Sequence, residues 1–123
     1  MRAYFFGNMY LSSIQQGIQA AHCISDIFAD HDDNFTTESK MYLMDWAKNH
    51  KTMILLNGGF SEAIMELAEF FHDGTNPYPW GVFREANESL NRAVTCAGIV
   101  LPEFIVQTIS LNLFWIDSNP SYN

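Results

Sequence analysis

The sequence predicts a single α/β domain, a mixed sheet with helices on both faces. The chain has 123 residues, the length of one domain, and can bury roughly two-thirds of its unfolded surface without disulfides or metal. Apolar runs of strand length alternate with segments of helical period, in the order β-α-α-β-α-β-β. An apolar share of 48% and an aromatic share of 15% supply a core. The expected domain covers residues 1–117, with 118–123 as a flexible tail.

The elements follow in order. Residues 2–6 are apolar and aromatic and stop at Gly7-Asn8, as a buried first strand does. Ser12 or Ser13 caps a helix to about Phe28, with Ile14, Ile18, Ala21, Ser25 and Phe28 as its core face. Residues 29–35, ADHDDNF, are expected as an acidic loop. A second helix covers 37–49, with Met41, Leu43, Met44 and Trp46 apolar. KTMILL, 51–56, carries no charge after Lys51 and stops at Asn57-Gly58-Gly59, which predicts a central strand buried on both faces. Ser61 is expected to cap a third helix to about His72, with Ile64, Leu67, Ala68 and Phe71 inward. Residues 73–77 form a turn-rich loop, 80–83 a strand and 93–101 another. After Pro102, 104–109 fit a short helix and 109–115 alternate as a strand does.

Fourteen acidic residues face six basic ones, a net charge of −8. Nucleic-acid binders draw much of their affinity from cations set against phosphates, so long-range attraction of an RNA backbone is not expected. The apolar stretch 93–116 is interrupted by Pro102, Glu103, Gln107 and Asn112, so no membrane span is predicted. The first residues lack the apolar core and cleavage site of a signal peptide. Cys23 and Cys96 lack metal spacing and are expected as buried thiols in a reduced, cytoplasmic setting. No cofactor and no metal site are predicted. The run Asp30 to Asp33 lacks the spaced ligands and Gly of a calcium loop.

One helical stripe carries Gln15, Gln19, His22 and Asp26, at steps of 4, 3 and 4. Two readings of it stand. As a site, Asp26 fixes the tautomer of His22, and the amides supply paired donors and acceptors for a base or ribose. As a surface, it is the solvated edge of an amphipathic helix. Asn57-Gly58-Gly59 ahead of a helix is either an anion-binding turn or a plain one. Tyr78, Trp80 and Phe83 are candidates for stacking on a base, or for packing.

Three patterns resemble the archaeal and eukaryotic type of peptidyl-tRNA hydrolase, in a divergent form of the kind found in bacteriophage genomes. Gly17-Ile18-Gln19-Ala20-Ala21-His22 follows the family's opening G-K-x-A-A-Q-x-x-H, with Gly17, Ala20 and Ala21 matching. Trp46 precedes the strand that starts at Lys51, as in that family. Glu85-Ala86-Asn87-Glu88-Ser89, then Thr95, then 97–102 ending on Pro102, stand where the family has D-A-G-x-T, Gly-Thr and a strand closing on Pro. The resemblance covers most of residues 3–102 and implies a four-stranded mixed sheet, a homodimer and action on the ester joining peptide to tRNA.

The departures shape what it implies for function. The family's catalytic lysine falls at Ile18, its aspartate at Glu85 and its threonine at Ser89. An aliphatic chain donates no charged hydrogen bond to an oxyanion, and losing one such donor costs about 2.7–4 kcal/mol. The first expectation is therefore a binding protein. It holds a small nucleotide-like ligand among Gln15, Gln19, His22, Asp26, Asn57, Gly58, Gly59, Asn87 and Thr95. The second is a divergent hydrolase acting at the tRNA 3′ end, with His22, Glu85 and Ser89 as catalytic residues. The third is an interaction module whose apolar tail, with Phe114 and Trp115, meets another copy or a host protein.

Overall fold

The computed structural model describes residues 1–85 and 93–103, with only the backbone of 31–34. The expectations for 104–123, and those for Asn87 and Ser89, lie outside the described residues. The elements are β1 (Arg2–Gly7), α1 (Ser13–Asn34), α2 (Thr37–Asp45), β2 (Met53–Asn57), α3 (Ser61–Phe71), β3 (Trp80–Arg84) and β4 (Val94–Leu101). They form a four-stranded mixed sheet in the order β2-β1-β4-β3. β1 and β2 are parallel, and β4 runs antiparallel to both β1 and β3.

Alternate strand residues face opposite sides of the sheet, and each side has its own core. Ala3, Phe5, Cys96 and Val100 pack with Ala20, Cys23 and Ile27 of α1 and Leu43 of α2. Tyr4, Val94, Ala97, Ile99 and Leu101 pack with Ile64 and Phe71 of α3 on the other side. The second helix ends in a π-helical turn, Trp46–His50, closed by Lys51 N–H donating to Trp46 O at 2.8 Å. Lys51 takes φ 58, a left-handed conformation that non-glycine residues adopt at some cost. The Trp46 indole N–H then donates to Thr52 O at 2.8 Å and seats the start of β2 beside β1.

The interior strands are β1 and β4, and β2 lies at an edge. All eight β4 residues, VTCAGIVL, are buried, while Met53, Leu55 and Leu56 of β2 are 44, 49 and 39% exposed at the sheet edge. Both runs are charge-free, so composition does not separate them. The difference is the small residues of β4, which let both layers approach. Gly98 and Gly81 sit opposite each other on β4 and β3. A Cβ at Gly98 would meet the Phe5 ring at 2.8 Å and Cys23 Sγ at 3.0 Å, and one at Gly81 would meet Ile27 at 2.7 Å. The two glycines form a trough that receives α1.

That trough explains a second correction. The buried face of α1 is Ala20, Cys23 and Ile27, with Gln19, whereas Ile14 and Ile18 are 78 and 49% exposed, and Ala21 and Ser25 are also exposed. Ala20 and Cys23 are small enough for a close approach, and Ile27 is received where Gly81 has no side chain. The helix also continues to Asn34 where a loop from residue 29 was expected, since no Gly or Pro interrupts it. In α2, Leu43 is buried but Met41 is exposed. The predicted inward residues of α3 hold, with Ile64, Ala68 and Phe71 buried and Leu67 half-buried. Ser61 is not its cap: Phe60 holds that position without a side-chain bond.

Candidate functional site

The pairing directions bring the carboxyl ends of β1, β2 and β3 and the amino end of β4 to one edge of the sheet. Gly7-Asn8, Asn57-Gly58-Gly59, Arg84-Glu85 and Val94-Thr95 meet there. β1 leads to α1 on one face and β2 to α3 on the other, a topological switch point of the kind where open α/β sheets hold ligands.

In this chain the switch point is laced shut. Gly58 N–H donates to Gly7 O at 2.8 Å, and Met9 N–H donates to Gly59 O at 2.9 Å. Gly59 takes φ 79, and its N–H donates to Asn57 Oδ1 at 2.8 Å. The glycine turn thus spends its donors on the fold, which favours the plain-turn reading over anion binding. Asn8 ties the edge together. Its N–H donates to Thr95 O at 3.0 Å, and its side-chain amide donates to Val94 O at 3.0 Å and Ser61 Oγ at 3.3 Å. Its side-chain oxygen accepts from Tyr10 N–H at 3.0 Å. Asn8 was not singled out in the sequence. Its only local signal is a Gly-Asn pair ending the first strand.

The polar stripe of α1 divides along its length. Gln15 is exposed and completes a capping box with Ser12, its amide oxygen accepting from Ser12 N–H at 3.1 Å. Gln19 is 8% exposed and donates from Nε2 to Glu85 Oε2 at 3.1 Å. Its other amide atom, Oε1, is buried and has no hydrogen-bond partner among the described residues. The His22 ring stacks on Phe83, with centroids 4.7 Å apart and planes at 28°. Asp26 is exposed, and no ion pair joins it to His22 among the described residues.

Thr95 is buried, and its hydroxyl donates to Phe83 O at 3.3 Å. It positions the strand under His22. Cys23, one residue past His22, points inward and donates from Sγ to Gly81 O at 3.5 Å. The compact cluster is therefore Gln19, His22, Phe83 and Glu85. Of the predicted ligand set, Gln15, Asn57, Gly58, Gly59 and Thr95 serve the fold. The remaining candidate aromatics each meet a ring of the protein: Tyr78 lies 5.1 Å from Tyr42, and Trp80 lies 5.4 Å from His72.

The electrostatics of the cluster are anionic. Glu85 sits within it, Asp26 lies one helical turn from His22, and the nearest strand cation, Arg84, turns to Met65 Sδ at 3.0 Å. Such a site accepts hydrogen bonds from N–H donors and stacks on flat rings. Its described residues offer no cation to a phosphate. No group of three or more His, Cys, Asp or Glu is placed to hold a metal ion among the described residues. No helix among them is long and apolar enough to cross a membrane. Comparison with protein-family models and with curated proteins finds no match to this chain.

Proposed function

We propose that this chain is a binding protein for a small nucleotide-like ligand, held by its base at Gln19, His22 and Glu85. The observation that carries the proposal is the buried Gln19 Oε1, which has no hydrogen-bond partner among the described residues. A buried acceptor left unsatisfied costs about 1–3 kcal/mol, and an amino or imino N–H of a nucleobase would recover it once the Gln19 side chain swings outward beside exposed His22. Glu85, bonded to the same amide, accepts a second base N–H, and the stacked His22–Phe83 pair offers a ring face. Ile18, at the position where the resemblance expects a lysine, is aliphatic and half exposed, so it brings no cation to an ester. That favours binding over hydrolysis of peptidyl-tRNA.

Titration calorimetry against nucleosides, mononucleotides and cyclic nucleotides tests the proposal. Heat is expected with at least one purine or pyrimidine bearing an amino group. Gln19→Ala is expected to weaken that binding by about tenfold, the loss of one buried hydrogen bond. Absence of heat and of any thermal shift across the panel would overturn it. Incubation with labelled peptidyl-tRNA is expected to leave the ester intact.

A further inference from the structure

A second feature lies on the opposite side of the sheet from β2. β3 is the other edge strand. Val100 N–H donates to Pro79 O at 2.9 Å, so residue 79 faces 100 as a hydrogen-bonded pair. Such pairs recur at every second residue of an antiparallel ladder, so Gly81 and Phe83 bond inward to Gly98 and Cys96. Trp80 and Val82 therefore turn their backbone N–H and C=O away from β4, to a side where no described strand pairs with them.

Two clefts flank this edge, of about 600 and 450 Å³, and both are lined by His72, Trp80 and Val82. They run together along the strand. Natural edges are usually blunted by lysine, proline or a covering element. Within β3 the sole charge is Arg84 at its end. Carboxylates line both clefts instead: Asp30 of α1 and Asp73 in the larger, and Glu69 of α3 in the smaller, which Arg84 closes at the end of the strand. Asp73 is held below the usual carboxylate range by hydrogen bonds from the backbone and side chain of Thr75, so it stays ionised.

We propose that the β3 edge docks an extended, basic peptide segment of a partner protein by strand addition. The outward groups of Trp80 and Val82 supply the main-chain bonds. Side chains of an added strand alternate between the two faces, so basic residues on either face meet Asp30 or Glu69. A second copy of this chain fits poorly, because with a net charge of −8 it would set the same carboxylates against one another. The docking uses the outward backbone groups of Trp80 and Val82, whereas the nucleotide site uses the side chains of Gln19, His22 and Glu85.

The test is fluorescence anisotropy with two labelled, end-blocked heptapeptides, Lys-Val-Lys-Val-Thr-Val-Lys and its counterpart with Glu for Lys. The basic peptide is expected to bind at least about tenfold tighter, with affinity falling as salt rises. Val82→Pro removes an outward N–H while sparing the ladder to β4, and is expected to abolish binding. The double reversal Asp30→Lys with Glu69→Lys alters only exposed side chains and is expected to transfer preference to the acidic peptide. Equal binding of both peptides, no binding of either, or a preference unmoved by the charge reversal would overturn the proposal. So would a sedimentation mass showing the edge taken by a second copy.

Discussion

Cys23 and Cys96 show at the scale of single residues how burial decides chemistry. Both were legible as small apolar residues, and both are buried and free. The neighbouring Cys96 thiol is the larger cause, and burial the second, that hold the Cys23 proton well above its ordinary value of 9.0. The unfolded chain releases that proton near its ordinary value, while the folded chain keeps it. The stabilisation is complete below about pH 9 and is lost as pH rises beyond it, at about 1.4 kcal/mol per pH unit. Cys23→Ala is expected to flatten the fall in unfolding free energy between pH 8 and pH 10, read by urea denaturation at each pH. Thiol reagents at pH 8 are expected to label neither cysteine until denaturant is added. Gln19 teaches the converse. Its stripe was visible in the sequence, but only the contact with Glu85 separates it from exposed Gln15 and Asp26.

Among the elements, α1 and the two apolar strands carry the main corrections. Ile14 and Ile18 have the helical spacing of a core face, yet the trough at Gly81 and Gly98 selects Ala20, Cys23 and Ile27. Gly98→Ala is expected to cost about 1–3 kcal/mol, since the Phe5 ring and Cys23 must yield to the added methyl. A midpoint in urea unchanged from the parent would refute the trough. β2 and its interior neighbour β1 offer a contrast. Leu55→Ala on the half-exposed edge is expected to cost about 1 kcal/mol, against about 3–5 kcal/mol for Phe5→Ala in the neighbouring strand. Comparable losses at the two positions would mean that β2 is covered after all.

For the whole molecule, the net charge of −8 sets a self-repulsion that salt relieves. Raising sodium chloride from 20 to 300 mM, a range over which the screening length falls several-fold, is expected to raise the melting temperature. A flat or falling response would show that local ion pairs outweigh net charge. The α/β class, the order of elements and the inward face of α3 were readable from the chain, because period and turn chemistry are local properties. Which strand lies at the centre, which face of α1 is buried and which polar residues meet were not, because partners distant in sequence decide them. Asn8 reaches Val94 across 86 positions and Gln19 reaches Glu85 across 66, and no local pattern announces either bond. The sequence by itself determined the elements and their class. The tertiary structure alone decided their packing and the site, since close approach at two opposed glycines exists only once the sheet has formed.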